Sequence, residues 1–345
     1  MKTGTLTKPS TVNQSGLATS FSIQGSGFYV PEDIVTNEML TRTLDTTDEW
    51  IQEKTGIRER RYLQNDMATS DMCVHASLDA ICDAGIAMED LDAIVLCTTT
   101  PDQQVPSTAL IVKEKLGAKN AIPFDLTQAA CAGGIYSILF ASHLLQNQFI
   151  NNVLVIGAEV LSRYIDPADR ITKTFFGDAA GAILLQKTGE GSGLLAWDLD
   201  SSLNMAVTLH GGGTARMPEG ADLFTSHFIR MNGREVWKTA TRNLPISIQN
   251  AVQKAGLQVS DIDHFILHQA NLNIIKKTMR ALDVPMEKTT VTIQEYGNTG
   301  AASLFSALHK SLEEKAIKPG DYLVISAIGA GFLWGSLCVK YTKNQ

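Results

Sequence analysis

The chain contains a repeat of itself. Ala84-Gly85-Ile86, three spacers and Asp90-Leu91-Asp92-Ala93-Ile94-Val95-Leu96 recur as Ala255-Gly256-Leu257, three spacers and Asp261-Ile262-Asp263-His264-Phe265-Ile266-Leu267. In each copy an amphipathic helix ends at a glycine, where a left-handed cap costs little. An acidic turn follows, then a short apolar run typical of a buried parallel strand. A helix comes next in both, Ser107 to Leu116 and Asn271 to Leu282. Phe124-Asp125-Leu126 leads into the helix after Cys131, as Val291-Thr292-Ile293 leads into the helix opening at Gly300-Ala301-Ala302. Val153 to Gly157 then matches Tyr322 to Ser326, and Ala180 to Leu184 matches Trp334 to Cys338. Shared order and element type predict an α/β protein of two similar halves, 21–195 and 196–345, related by a pseudo-twofold. Trp197 to Ala221, with Gly211-Gly212-Gly213, reads as the irregular join.

Composition limits what those halves can do. Of 345 residues, 44% are hydrophobic and 19% charged, enough apolar material for a sizeable core. The net charge of −7 argues against a nucleic-acid binder but leaves room for a local basic patch facing an acidic partner. Cys73, Cys82, Cys97, Cys131 and Cys338 show no C-x-x-C spacing, which fits a reducing cytoplasm better than disulfides or zinc. Met1 to Ser20 is Ser/Thr-rich without an apolar stretch and reads as a disordered tail, not a signal. The uncharged run Tyr322 to Val339 is broken by Gly329, Gly331 and Gly335 and reads as strand, glycine loop, strand. No membrane anchor is expected there.

In α/β folds of this kind, function gathers at the carboxyl ends of parallel strands. The residues there are Cys97, Thr98, Cys131, His268 and the loops at Asn298 and Gly329. Cys131, in Gln128-Ala129-Ala130-Cys131-Ala132-Gly133-Gly134, opens a helix, where exposed N–H groups and the dipole favour a thiolate. Free cysteines are most often inert and buried, and Cys73, Cys82, Cys97 and Cys338 are read that way. His268 follows Phe265-Ile266-Leu267, so a buried strand delivers it to the functional face; Asn271 then caps a helix. A lone histidine is often a satisfied core group, and its weight here comes from pairing with Cys131. His264 and His268 are four apart on a strand, which is not a helical metal pair; no metal is expected. Asn298, in Glu295-Tyr296-Gly297-Asn298-Thr299-Gly300, would alone pass for an ordinary turn residue. Gly329-Ala330-Gly331 can aim backbone N–H groups at an oxyanion. Neither Gly25-Ser26-Gly27 nor Gly177 to Gly181 completes a phosphate loop, so nucleotide-dependent chemistry has little support.

These residues fall into a familiar set. From Ile23 to Tyr341 the chain resembles β-ketoacyl-acyl-carrier-protein synthase III, a condensing enzyme of the thiolase fold with layered αβαβα architecture. The resemblance rests on Asp48-Glu49-Trp50-Ile51, Thr55-Gly56-Ile57-Arg58-Glu59-Arg60, Ala130-Cys131-Ala132-Gly133, His268-Gln269-Ala270-Asn271, Gly297-Asn298-Thr299 and Gly331 to Ser336. It implies a Cys131–His268–Asn298 triad. Cys131 would take an acyl group from acyl-CoA, and the enolate from malonyl carrier protein would then attack it. His268 and Asn298 would donate hydrogen bonds to the malonyl thioester oxygen, and backbone N–H groups of Cys131 and Ala330 would hold the acyl oxygen. The resemblance places Trp50 and Arg170 against the CoA adenine, and Gly233 and Asn271 along the pantetheine tunnel. Lys238, Lys276, Lys277 and Arg280 would dock an acidic carrier protein, although basic helix faces are common simply as solvated surface. A homodimer is implied, with Val105 reaching the partner's acyl pocket; no cofactor is.

The chain departs from the family pattern at Asn273, where an arginine is usual, and at Lys54 and Arg234 near the CoA site. Val105 stands where a phenylalanine is common, which suggests room for branched or longer acyl groups. These departures leave open a priming or acyl-transfer enzyme of a specialised pathway. Cys, His and Asn in this order also describe papain-like hydrolases, whose local cysteine signature is absent. A thiolase would bring a second catalytic cysteine. A hydroxymethylglutaryl-CoA synthase would bring a catalytic glutamate, and Glu159 is only nearby in sequence. A non-enzymatic scaffold would not need Cys131 at all.

Overall fold

The computed structural model describes residues 18–127, 129–189, 191–210, 213–214 and 227–343. Nine strands form its two large sheets: β1 (Phe21–Tyr29), β2 (Ala93–Cys97), β3 (Ile122–Leu126), β4 (Asn152–Val160), β5 (Asp178–Lys187), β6 (Gly193–Asn204), β7 (His264–Leu267), β8 (Tyr322–Gly329) and β9 (Gly331–Lys340). Seven helices matter here: α1 (Asp48–Thr55), α2 (Thr69–Ala84), α3 (Thr108–Leu116), α4 (Gly133–Leu144), α5 (Gly233–Lys254), α6 (Leu272–Ala281) and α7 (Ala302–Glu313).

The first sheet runs β1-β5-β4-β2-β3 and the second β6-β9-β8-β7. Corresponding strands pair alike. Val95 lies opposite Val155 in the parallel pair β2/β4, and Ile266 opposite Ile325 in the parallel pair β7/β8. β4/β5 and β8/β9 are both antiparallel. The glycines ending the repeated helices, Gly85 and Gly256, have φ of 66° and 75°.

Strand periodicity explains the layers. In β4, Val153 and Val155 face one core, whereas Leu154 and Ile156 face another. The central core takes Ile135 and Ile138 of α4, Leu304 and Phe305 of α7, and strand residues from both sheets, among them Val155 and Ile325. α2 and α3 cover the outer face of the first sheet; α5 and α6 cover that of the second. Both faces of each sheet are thus buried, which gives the five-layer αβαβα arrangement of the thiolase fold. Among the described residues no helix is long and apolar enough to cross a membrane.

Three sequence expectations need correction. β6 runs through the 195/196 boundary, and Trp197, expected in an irregular join, pairs with Leu337 inside the sheet. Of the expected join, Gly211, Gly212 and residues 215–221 lie outside the described residues. Val291-Thr292-Ile293 forms no strand: the counterpart of β3 shrinks to a single bridge between Phe265 and Thr289, and Ile293 opens a short helix. Of the expected N-terminal tail, residues 1–17 lie outside the described set, but Thr19 exchanges backbone hydrogen bonds of 2.9 and 3.0 Å with Leu194.

Phe305 locks α7 to the first sheet. A Cβ at Gly157 would lie 2.5 Å from the Phe305 ring, and one at Gly181 2.4 Å from its Cβ, so the ring occupies space those glycines leave. Phe305→Ala is expected to cost about 3–5 kcal/mol, as for other buried aromatics. A clear fall in the urea midpoint checks this; an unchanged midpoint would mean the helix is held elsewhere.

Candidate active site

Both central helices begin at the carboxyl ends of the sheets, and the chemical groups converge between those beginnings. Cys131 lies in a 3-10 turn, Ala130–Ala132, that runs into α4. Ala130 has φ 45°, a left-handed conformation that costs a non-glycine residue on the order of 1–2 kcal/mol. The end of β8 presses on this turn. A Cβ at Gly329 would sit 2.2 Å from the Ala129 carbonyl oxygen and 3.1 Å from the Cys131 nitrogen, so only glycine fits there.

His268 leaves β7 with its backbone N–H bonded to Ser326 O at 2.9 Å. Its ring is buried, and Nδ1 meets the hydroxyl of Ser303 in the first turn of α7. Gln269, wholly buried, secures this corner. Its Nε2 donates to the carbonyls of Leu267 (2.7 Å) and Thr290 (3.2 Å), and its Oε1 accepts from the N–H groups of Thr292 (2.9 Å) and Ile293 (3.3 Å). Asn298 is held by backbone bonds to Phe175 and Gly177. Its Oδ1 accepts the Gly300 N–H at 2.9 Å, which leaves Nδ2 as the group it can offer as a donor.

Two apolar chambers meet at Cys131 and Ala330. One, of about 50 Å³, is bordered by His268, Asn298, Phe175, Val236 and Phe332. The other, of about 100 Å³, is bordered by Thr99, Glu159, Leu161, Leu209 and Ile229. The structure therefore brings Cys131, His268, Asn298 and Ala330 together from four separate chain segments. Among the described residues, no Lys or Arg borders either chamber.

Desolvation sets the electrostatics of these groups. Burial pushes the Cys131 thiol up to about 12, with the Glu159 carboxylate adding to the effect. Burial and Glu159 thus act against the thiolate that the helix start was expected to favour, while a hydrogen bond from the Cys131 backbone acts for it. Burial likewise lowers His268 to about 3, so its imidazole is neutral. Glu159 is raised to about 7 by burial, although hydrogen bonds from Thr100 and Thr99 oppose the shift. It accepts from Thr99 N–H at 3.2 Å and Thr100 Oγ1 at 2.8 Å, which ties the loop after β2 to β4. Sequence reading placed Glu159 only nearby; its wall position depends on side-chain bonds across the sheet, for which the sequence carries no local signal. The same holds for Ser303.

The other expected residues are more dispersed. Arg170 lies over the Trp50 ring, 5.2 Å from its centroid, and donates to the Asp45 carbonyl at 2.8 Å. Asn271 caps α6, its side chain accepting the Asn273 N–H at 2.8 Å and donating to Lys54 O at 2.9 Å. Asn273 also bonds the carbonyl oxygens of Glu53 and Lys54, linking α6 to α1. Neither Asn271 nor Gly233 borders the chambers; their neighbours Ala270, Met231 and Val236 do. Val105 is 85% exposed and lies outside both chambers of its own chain. Lys276, Lys277 and Arg280 are exposed on α6, and Lys238 on α5 lies 4.0 Å from Glu235. Cys97 is fully buried beside the nucleophile turn, with Sγ 4.0 Å from Ala130 O, and borders neither chamber.

Because the thiol is raised, alkylation of Cys131 by iodoacetamide is expected to accelerate by about 100-fold between pH 7 and 9, tracking the thiolate fraction. Intact mass against Cys131→Ala reads this out. A rate already level at pH 7 would show a depressed thiol instead.

Comparison with known proteins agrees with this geometry. The family described as 3-oxoacyl-[acyl-carrier-protein (ACP)] synthase III matches residues 124–202, and its C-terminal counterpart matches residues 252–341. The chain is 40% identical over 321 residues to β-ketoacyl-[acyl-carrier-protein] synthase III 1 of Bacillus anthracis, covering 93% of this chain and 99% of that one. It is 41% identical over 319 residues to β-ketoacyl-[acyl-carrier-protein] synthase III of Clostridium perfringens, covering 92% and 98%. The crystal structure of 3-oxoacyl-[acyl-carrier-protein] synthase III from Aquifex aeolicus superposes with a TM-score of 0.86 at 37% identity, covering 93% of this chain and all of that one. The priming β-ketosynthase of the R1128 polyketide pathway superposes with 0.87 at 28% identity, covering 94% and 97%. On the strength of the nearly full-length identity, the chain belongs to the β-ketoacyl-[acyl-carrier-protein] synthase III family.

Proposed function

We propose that this protein joins an acyl group from acyl-CoA to malonyl carrier protein by decarboxylating condensation, initiating fatty-acid synthesis. The supporting observation is the convergence of one thiol and two neutral hydrogen-bond donors, His268 and Asn298, on a single apolar cavity. In the first half-reaction the Cys131 sulfur bonds to the acyl carbon, the carbon–sulfur bond to CoA breaks, and CoA leaves with the thiol proton. In the second, malonyl thioester loses its carboxylate as CO₂. The electron pair left behind forms an enolate whose oxygen receives hydrogen bonds from His268 and Asn298. The enolate carbon attacks the acyl carbonyl, the bond to Cys131 breaks, and 3-oxoacyl carrier protein departs. Neutral donors suit this task, since they gain strength as charge develops on the oxygen in a dry site. Backbone N–H groups of Cys131 and Ala330 hold the acyl oxygen.

The Trp50–Arg170 stack supports an adenine site at the entrance. Exposed Lys238, Lys276, Lys277 and Arg280 fit an acidic carrier. A homodimer is supported by the open sheet edge at β3, with Ile122 exposed, and by exposed Val105. Free cysteines fit a reducing cytoplasm. Among solved structures, identity is higher to the synthase III from Aquifex aeolicus than to the polyketide-priming ketosynthase, which favours the fatty-acid reading over a specialised pathway.

Intact mass spectrometry with a panel of acyl-CoAs tests the first half-reaction. Wild type is expected to gain one acyl group and Cys131→Ala none. His268→Ala and Asn298→Ala should still acylate but lose condensation with malonyl carrier protein by roughly 100-fold or more. Free acid without a carbon–carbon bond would point to hydrolysis. Separately, sedimentation should give a dimer, and Ile122→Lys should weaken it; an unaffected dimer would place the interface elsewhere.

A further inference from the structure

We propose that Ser303 is a positioning residue that fixes the proton of His268 on Nε2, the nitrogen turned away from the serine. The inference rests on the reading of His268 as a hydrogen-bond donor to the malonyl thioester, and it assigns the group that makes His268 a donor.

The argument is a count of hydrogens. Ser303 is completely buried, and among the described residues its Oγ has two hydrogen-bond partners: His268 Nδ1 and the Gln269 N–H, which donates to it at 3.1 Å. A hydroxyl carries one hydrogen and two acceptor lone pairs. With Gln269 on one lone pair, two arrangements are possible. If Ser303 O–H donates to a bare Nδ1, every group at this corner is paired and the imidazole proton resides on Nε2. If Nδ1–H donates instead, the serine hydrogen has no acceptor among the described residues and is stranded in the core. Leaving a buried donor unpaired disfavours that arrangement by roughly tenfold or more. Among the described residues no carboxylate contacts Nδ1 to pull the proton the other way.

The consequence reaches the chemistry. Nε2–H and Asn298 Nδ2–H are both donors, and one enolate oxygen can accept from both. The reversed tautomer would offer a lone pair at Nε2, which repels that oxygen but could still receive the Cys131 proton. Ser303 therefore separates the two half-reactions: condensation needs it, whereas acylation tolerates its loss.

Nitrogen-15 spectra of histidine-labelled protein report the tautomer directly. Wild type is expected to show His268 protonated at Nε2, assigned by loss of the signal in His268→Ala. Protonation at Nδ1 overturns the proposal whatever the activity. In turnover, Ser303→Ala is expected to slow condensation by about 10-fold or more, with acylation of Cys131 and the KM for malonyl carrier protein held within about 3-fold. Ser303→Thr, which keeps the hydroxyl, should restore condensation to within about 3-fold of wild type. Ser303→Asp, an acceptor in place of a donor, should move the proton to Nδ1 and cut condensation by about 100-fold while acylation persists. Equal loss of both half-reactions in folded Ser303→Ala, or no loss in either, overturns the proposal. Should Ser303→Ala fail to fold, the wild-type spectrum and the threonine variant decide it. Failure of wild type to condense at all would instead refute the proposed function, leaving the tautomer to stand or fall by its own spectrum.

Discussion

The site depends on two helices, α4 and α7, being buried between two sheets. Their apolar residues and the inner faces of β2, β4, β7 and β8 make a shared core. Burial of that much hydrocarbon fixes where the helices begin. Cys131 comes from the start of one, and Asn298 and Ser303 from the loop and first turn of the other. The distance between nucleophile and donors is thus set by packing rather than by the loops that carry them. Close backbone contact at Gly329 adds a second constraint, since it holds the last turn of the second half against the nucleophile of the first.

The same burial governs the charges. A thiol, an imidazole and an amide share a cavity that no cation among the described residues borders, and burial favours the uncharged form of the first two. Such a site contributes little by attracting charge; its contribution is to present aligned dipoles where charge will appear. Glu159 is the exception, a carboxyl sunk among threonine hydroxyls and N–H groups. Its proximity makes thiolate less favourable, so the site trades nucleophile strength for a well-ordered wall.

Much of this was legible in the sequence, for identifiable reasons. The repeat was readable because buried parallel strands and their preceding caps leave local, periodic marks at Asp90 to Leu96 and Asp261 to Leu267. The position of His268 followed from where the second of those strands ends, and that of Cys131 from the end of the strand at Phe124 to Leu126. Ser303, Gln269 and Glu159 were not readable as site residues, because their roles arise from side-chain bonds between segments remote in the chain. Val291 to Ile293 failed as a strand although its first-half counterpart is one: here Thr292 and Ile293 give their N–H groups to Gln269 instead of to a sheet neighbour. The helix-dipole argument for Cys131 is local, whereas the desolvation that opposes it is a property of the folded whole.

Gln269 shows how little freedom such an arrangement leaves. Its amide faces two carbonyls with its nitrogen and two N–H groups with its oxygen, so both ends are spoken for. A glutamate would confront the two carbonyls with lone pairs, and a leucine would strand all four backbone groups. Of the twenty side chains, only glutamine has this length and this polarity reversal. The corner therefore behaves as a single-solution position in sequence space, tuned by geometry next to the chemistry and without touching it.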